Sequence, residues 1–179
     1  MALELKTLRK LISYDPETGD LTWLARDADV HPNDWGRRIF NAQRAGKPAF
    51  TSESHGYRQT TIMGGVFAAH RVAWAIYYGE WPRGEIDHIN GVRNDNRIAN
   101  LRDVTRQENC RNSALYGNNT SGHVGVTWDK NLKNWRSRIK IDGKTKHLGS
   151  FDSKDDAIAA RVAADVEFCF HENHGRGAE

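Results

Sequence analysis

The sequence predicts an α+β protein made of small antiparallel units, and three observations lead to that expectation. The chain has 179 residues, of which 38% are hydrophobic, and a mean hydropathy of −0.74, so a compact core under a strongly polar surface is expected. A strand, a loop, a second strand and a capped helix follow one another in the middle of the chain. Farther on, three short strands precede a helix with an apolar stripe, which predicts an antiparallel sheet packed on one helix.

The first 69 residues are predicted to form a small mixed region of helix and strand. Apolar residues share one face of a short helix over 3–12. Turn residues between aromatic ones over 14–23 predict a hairpin. Residues 26–50 have no hydrophobic period, so an extended loop is expected there, and the pattern of 56–67 favours two further strands. None of these patterns by itself indicates what the region 1–69 does.

The central unit, residues 70–115, has stronger signals. A helix is predicted over 70–78. Two brief strands, over 85–89 and 101–104, are separated by a polar loop rich in Asn, Asp and Arg. The segment Thr-Arg-Gln-Glu then matches a capping box, in which the first and fourth side chains satisfy each other's backbone amides, and it predicts a helix over about 105–114.

The small polar segment 116–122 is predicted to be a linker. A second domain is expected over 123–172, with a frayed tail over 173–179. Three strands are predicted in this domain: 123–128, 134–141 and 144–148. The Asp142-Gly143 pair between the last two is a strong signal for a two-residue hairpin turn.

The final helix begins with a second capping box, Ser-Lys-Asp-Asp, at Ser153. Its larger apolar residues recur at helical spacing and are expected to pack on the sheet. These residues are Ile158, Val162, Val166 and Phe170. The middle strand alternates apolar and basic side chains, so a basic face is expected on the side of the sheet away from the helix.

Charge and cysteine content exclude several classes of protein. The net charge of +3 is a mild preference for polyanions. Cys110 and Cys169 are too few for a disulfide framework or a four-cysteine zinc site, so any metal must be held by oxygen and nitrogen. No apolar run approaches the ~20 residues that span a bilayer. No membrane partner and a cytoplasmic location are therefore expected.

The residues with the clearest chemistry are Asp87 and His88, in the segment Ile-Asp-His-Ile-Asn-Gly. Asn100 lies just before the second strand, and Asn109 lies in the first turn of the capped helix. A strand directs successive side chains to opposite faces, so Asp87 and His88 are not expected to project side by side. Each residue taken singly has a structural explanation, as a turn, a solvated histidine or a capping asparagine. Their order along strand, loop, strand and helix favours a catalytic site.

This ordered set resembles the HNH nuclease family, whose ββα-metal core consists of two antiparallel strands, a loop and a helix around one divalent cation. Asp87-His88, Asn100 and Asn109 stand in the order and spacing of its Asp-His…Asn…Asn variant. The surrounding segments also resemble phage-borne members: HRVA from His70, DHING from Asp87, NDNRIANL from Asn94 and QEN from Gln107. The resemblance spans residues 70–112.

The resemblance implies a role for each of the four residues. His88, whose ordinary pKa is near 6.5, would take a proton from water as a general base. Asn100 would accept from the other imidazole N–H and orient the ring. Asp87 and Asn109 would hold one Mg²⁺ or Mn²⁺, ions that prefer oxygen ligands. The expected products carry a 5′-phosphate and a 3′-hydroxyl.

A second resemblance concerns the C-terminal domain. The segments GVTW from Gly125, WRSRI from Trp135 and LGSFD from Leu148, with the Ala-rich helix, resemble the Apetala-type (ethylene-response-factor) DNA-binding domain, which lays a three-stranded sheet in the major groove. The implied DNA-binding residues are Arg136, Arg138, Lys140, Thr127 and His147. The first strand departs from the plant pattern, so plant sequence specificity is not carried over. Trp128 fits either stacking on DNA or filling the core, and a basic face without a nucleic-acid partner is the alternative.

The sequence therefore predicts a divalent-metal-dependent endonuclease that acts on double-stranded DNA, of the nicking or homing-like kind found in phages. A non-catalytic DNA-binding regulator and a nuclease for packaging or branched DNA are the alternatives, and a homodimer stays open. His70 is expected to pack or hydrogen-bond beneath the site, and Arg71 to contact a DNA phosphate. The region 1–69 would brace the core, extend the DNA footprint or bind a partner. Its candidate DNA contacts are Arg37, Arg38, Arg44 and Lys47.

Overall fold

A computed structural model of the chain describes residues 3–110, 115, 119–170 and 174, with only the backbone of Gln107 and Cys110. The chain divides into two compact units, Met1–Val104 and Thr105–Glu179. Both mix helices with small antiparallel sheets, which confirms the α+β class. The predicted linker and tail lie partly outside the described residues, so those domain limits stay predictions. Within the described part of the chain, no helix has the length and apolar character needed to cross a membrane.

The first unit contains three helices, one 3₁₀ turn and seven strands among its described residues. In chain order they are α1 (Leu5–Leu11), β1 (Ile12–Tyr14), β2 (Leu21–Trp23), α2 (Asp34–Arg44), β3 (Ser52–Ser54), β4 (Tyr57–Ile62), β5 (Gly65–Ala68), α3 (Ala69–Tyr78), β6 (Glu85–His88), the 3₁₀ turn Ile98–Asn100 and β7 (Leu101–Val104). The strands form three antiparallel sheets: β1-β2, β3-β4-β5 and β6-β7. The N-terminal helix and hairpin, the helix α3 and the two central strands are confirmed.

One hydrophobic core joins the N-terminal region to the central strands. Leu8 of α1 and Val72 of α3 are fully buried, and Ile86 of β6 and Leu101 of β7 belong to the same cluster. The region 1–69 therefore braces the strands that carry Asp87 and His88, which was one of its three expected roles.

The helix α2 corrects the extended loop that was expected over residues 26–50. None of its residues is fully buried, although Phe40 is half-buried and packs against the core. Local polar contacts also stabilise the helix. The side chain of Asn33 accepts from the amide of Gly36 at the N-terminus, at 2.8 Å. The Asn41 side chain bonds both the amide and the carbonyl of Arg26, at 2.8 and 3.0 Å.

The described residues of the second unit form α4 (Arg106–Cys110), the strands β8 (Val126–Asp129), β9 (Asn134–Ile141) and β10 (Lys144–Phe151), and α5 (Lys154–Glu167). The strands form an antiparallel sheet in the order β10-β9-β8. Both residues of the Asp142-Gly143 turn have positive φ, 49° and 79°, as a two-residue hairpin of this type requires. The strand β10 continues past a bulge at Leu148 and is longer than predicted.

The apolar stripe predicted on the last helix is wrong at Val162 and Val166, whereas Ile158 and Phe170 are half-buried. The buried residues of α5 are Ala157, Arg161 and Ala164, whereas Val162 is 47% and Val166 is 76% exposed. Two alanines allow the helix to approach β9 closely, because they add no bulk beyond Cβ. The helix carries apolar residues on several faces. Its sequence pattern therefore does not show that the small alanines, and not the larger valines, form the close contact with the sheet.

Candidate functional site

The antiparallel pair β6 and β7 positions the residues with the clearest chemistry. Asp87 lies directly opposite Arg102, and His88 lies opposite Leu101. Asp87 and His88 are both buried, with 7% and 3% of their surface exposed. Because they are neighbours in a strand, their side chains leave the backbone in opposite directions, as expected.

The His88 ring lies in a cluster of aromatic rings. Its centroid is 5.3 Å from that of His70 in α3 and 5.9 Å from that of Tyr57 in β4, and the rings of His70 and Tyr57 are 5.0 Å apart. The cluster therefore ties His88 to both the helix and the sheet beneath the site. His70 lies beneath His88, as expected.

Burial keeps both histidines of the cluster neutral at neutral pH. Burial lowers the pKa of His88, although its hydrogen bond to Asn96 and the charge of Asp87 act in the opposite direction. Burial, together with the nearby His88 and Arg71, lowers the pKa of His70 to about 4. A neutral imidazole has a lone pair that accepts a proton, so the state of His88 suits a general base.

The His88 ring hydrogen-bonds to Asn96, whereas the side chain of Asn100, the expected partner, bonds elsewhere. The Nε2 atom of His88 lies 3.3 Å from Oδ1 of Asn96, and Asn96 is 3% exposed. The amide group of Asn100 is used within the loop over residues 90–100. Its Oδ1 accepts from the amide of Asn90 at 2.9 Å, and its Nδ2 donates to the carbonyl of Asp95 at 2.8 Å. Asn100 thus shapes the loop that presents Asn96 to His88.

A second carboxylate stabilises the same loop. Asp95 binds Arg97 through both of its oxygens, at 2.7 and 2.6 Å, and accepts from the side chain of Asn90 at 2.8 Å. The hydrogen bond with Arg97 is the main reason that the pKa of Asp95 is lowered to about 2. The loop therefore keeps this ion pair at neutral and mildly acidic pH.

The hairpin β1–β2 supports the loop from the other side. The hydroxyl of Tyr14 donates to the carbonyl of Asn96 at 2.7 Å, and the amide of Ile98 donates to the carbonyl of Pro16 at 3.1 Å. At Gly19 a Cβ atom would lie 2.6 Å from the backbone nitrogen of Arg97, so the turn and the loop are in close contact. Long-range contacts thus hold Asn96 in place.

The carboxylate of Asp87 is held by a residue that the sequence analysis missed. Both Nε and Nη2 of Arg102 donate to Oδ2 of Asp87, at 2.8 and 2.6 Å. A signal for this pair was present, since directly opposed residues of an antiparallel pair interact on one face of the sheet. Using it required the register of β6 against β7, which the sequence analysis did not assign.

Two further candidates are placed differently. Arg71 donates to the carbonyls of Gly84 and Pro82 at 2.9 and 3.1 Å. Its guanidinium thus holds the turn before β6, and a contact of Arg71 with a DNA phosphate stays a prediction. Asn109 lies in α4, one residue after the capping-box glutamate. That capping box is confirmed, because Oε2 of Glu108 accepts from the amide of Thr105 at 2.8 Å.

The sheet of the second unit presents an exposed polar face on the side away from α5. Register places seven side chains on this face: Thr127, Arg136, Arg138, Lys140, Thr145, His147 and Ser150. All five DNA-binding residues implied by the second resemblance are among them. Asp129 at the edge of the face binds Arg136 at 2.9 Å. Trp128 alternates with Thr127 and packs edge-to-face on Trp135, with centroids 5.2 Å apart, so it lies on the face that α5 covers.

Comparisons with known proteins give two matches. Residues 67–111 match the model of an HNH endonuclease family, a segment that runs from β5 to α4 and includes His70, Asp87, His88 and Asn96. The chain is also 34% identical over 84 residues to Protein 3.8 of Escherichia phage T7, an alignment that covers 46% of this chain and 69% of the phage protein. No solved structure matches the chain.

Proposed function

Because the chain belongs to the same family as Protein 3.8 of Escherichia phage T7 and carries an HNH endonuclease domain, we propose that it is a divalent-metal-dependent endonuclease acting on double-stranded DNA. The observation that carries this proposal is the buried His88, which hydrogen-bonds to Asn96 and lies on the same strand as the buried Asp87. A histidine base and a carboxylate that can hold a metal ion are two groups that hydrolysis of a phosphodiester uses.

His88 acts as the general base. The amide oxygen of Asn96 accepts a hydrogen bond, so it favours the tautomer with hydrogen on Nε2 and leaves the basic lone pair on Nδ1. Nδ1 takes a proton from a water molecule as the water oxygen bonds to phosphorus. The bond from phosphorus to the 3′ oxygen breaks, and solvent protonates the leaving oxygen. The products are a 5′-phosphate and a 3′-hydroxyl.

The donor chemistry of the site fits Mg²⁺ or Mn²⁺ better than zinc. Among the described residues, no three His, Cys, Asp or Glu side chains are grouped as a metal site, so a protein-only zinc cage is absent there. Mg²⁺ keeps several waters and takes one or two protein oxygens together with substrate phosphate. Asp87 with Asn109 would hold it, and Arg102 would orient the Asp87 carboxylate. When bound, such an ion stabilises negative charge on the phosphate and on the leaving oxygen.

Removing divalent ions is expected to stop cleavage. Supercoiled plasmid incubated with the protein and Mg²⁺ or Mn²⁺ should become open-circular or linear on a gel, and excess EDTA should prevent this. Adding Mg²⁺ in excess over EDTA should restore the activity. Accumulation of open circles would show nicking, and direct linearisation would show a paired cut. Cleavage that continues in EDTA, or no cleavage with either ion, would contradict the proposed chemistry.

The exposed face of the C-terminal sheet is proposed to bind the DNA backbone. Replacing Arg138 and Lys140 with glutamine should weaken binding of a short duplex about tenfold at 0.1 M salt and reduce the slope of log K against log salt by about 1.8, since each lost phosphate contact contributes about 0.9. Gel-shift titrations in EDTA at several salt concentrations measure both quantities.

The matched control replaces Lys130 and Lys144 with glutamine. Both lysines are exposed, but Lys130 lies in a turn and Lys144 lies on the other face of the sheet. This variant changes the net charge by the same amount. If both variants lower the affinity equally, the effect is one of overall charge, and the face has no special role.

A further inference from the structure

The helix α2 and the chain around it carry a group of cations that neither the core nor the candidate site uses. We call Arg26, Arg38, Arg44 and Lys47 the α2 cation cluster. No residue of α2 is fully buried and Trp35 at its beginning is 75% exposed, although the half-buried Phe40 packs against the hydrophobic core. No acidic residue occurs between Trp35 and Lys47.

Arg26 is held in place by aromatic rings and not by a carboxylate of the described residues. Its guanidinium lies 3.5 Å from the ring centroid of Phe40 and 5.7 Å from that of Trp23. Its Nε is buried and has no hydrogen-bond partner among the described residues. Burial and the nearby charge of Arg44 both lower its pKa. An immobilised guanidinium beside a second cation concentrates positive charge near α2, which the phosphate groups of a polyanion would offset.

The other members of the cluster are accessible. Arg44 and Lys47 are exposed, and neither forms an ion pair with a described residue, whereas the 81% exposed side chain of Arg38 contacts Asp34 at 3.0 Å. Like charges close together repel one another, and a polyanion relieves that repulsion. The cluster thus has the charge of a phosphate-binding surface.

The cluster also belongs to the same compact unit as His88. Phe40 of α2 packs against Trp23, with centroids 5.5 Å apart, and Trp23 ends the hairpin whose other residues support the Asn96 loop. We propose that the α2 cation cluster binds the phosphate backbone of the substrate duplex outside the phosphodiester that is cut. The identity of the substrate rests on the function proposed above.

The test measures DNA binding by the full chain in EDTA, so that cleavage does not interfere. Fluorescence anisotropy with a labelled 30-bp duplex is recorded at several salt concentrations for wild type and for Arg44→Gln/Lys47→Gln. The control is Arg58→Gln/Arg83→Gln, which removes the same number of positive charges from the same unit. Arg58 lies opposite Glu53, and Arg83 forms an ion pair with Glu80. The cluster variant should bind about tenfold more weakly at 0.1 M salt, and its salt slope should fall by about 1.8.

A third variant, Trp35→Ala, separates apolar contact from charge. It should lower the affinity and leave the salt slope unchanged, because it removes no phosphate contact. An unchanged slope for the cluster variant, or a change equal to that of the control, would overturn the proposal and leave an acidic protein partner as the alternative occupant.

This design distinguishes a failure of the proposed DNA-binding surface from a failure of the proposed nuclease function. If the cluster variant loses affinity while wild type never cuts plasmid with Mg²⁺, the surface stands and the nuclease proposal falls. If wild type cuts plasmid and the cluster variant binds like the control, the nuclease stands and the surface is rejected.

Discussion

Replacing His88 with asparagine is expected to lower the rate of DNA cleavage by about 10²- to 10⁴-fold, the usual contribution of a general base. Asparagine retains a polar amide that can hydrogen-bond to Asn96 in the buried pocket, so the fold should persist, yet it has no lone pair basic enough to take a proton from water. The measurement is the rate of supercoiled plasmid loss with Mg²⁺, at an enzyme concentration that saturates the DNA.

The matched control is His55→Asn. His55 is exposed in the turn between β3 and β4, and its positive φ of 52° is one that asparagine tolerates well. This variant should cleave at the wild-type rate. A His88→Asn protein that cuts as fast as wild type would remove His88 from the mechanism, while DNA binding measured in EDTA would show whether the variant still engages its substrate.

Replacing Arg161 with methionine is expected to destabilise the second unit by about 3–5 kcal/mol, the cost of removing one partner of a buried ion pair. Arg161 is 2% exposed. Its guanidinium binds Asp165 at 2.8 Å and donates to the carbonyls of Val124 and Arg138, each at 3.1 Å. Methionine fills similar space but leaves the carboxylate and both carbonyls without that donor.

Hydrogen exchange of the β9 amides under native conditions measures this loss in the full chain, since those amides lie in the sheet that Arg161 secures. Arg136→Met is the control, because Arg136 is an exposed arginine of the same sheet with its own carboxylate partner. An exposed pair of this kind contributes about 0–1 kcal/mol. Equal protection of β9 in the two variants would show that Arg161 does not secure the sheet.

Gly125 shows why the sequence did not reveal this contact. A Cβ atom at Gly125 would lie 2.1 Å from Nη1 of Arg161. The glycine therefore leaves room for the guanidinium of a residue that lies 36 positions later in the chain. An arginine within an amphipathic helix is ordinarily taken as solvent-exposed, and the alternation of β9 predicts only which face is covered. What covers that face depends on how closely the helix approaches.

The candidate site likewise has features that the sequence predicts and features that only the folded structure shows. The order of β6, loop, β7 and capped helix follows from turn residues, a capping box and short apolar runs, all of which are local signals that one sequence contains. The pairing of Asn96 with His88 does not follow from such local signals. The loop 90–100 contains several asparagines, and the sequence offers no basis for choosing among them. The choice depends on contacts from Tyr14 and Pro16, which are some eighty residues away along the chain.

The sequence by itself thus determined the α+β class, the central ββα order, the basic face of the C-terminal sheet and the chemical identity of the Asp87 and His88 pair. These depend on spacing and periodicity, which are properties of neighbouring residues. Only the tertiary structure decided that Asn96 holds the His88 ring, that Arg102 holds Asp87, that alanines and Arg161 form the packed face of α5, and that α2 exists as an unburied helix. Each of these depends on which distant group approaches a side chain, and the path of the folded chain sets that approach.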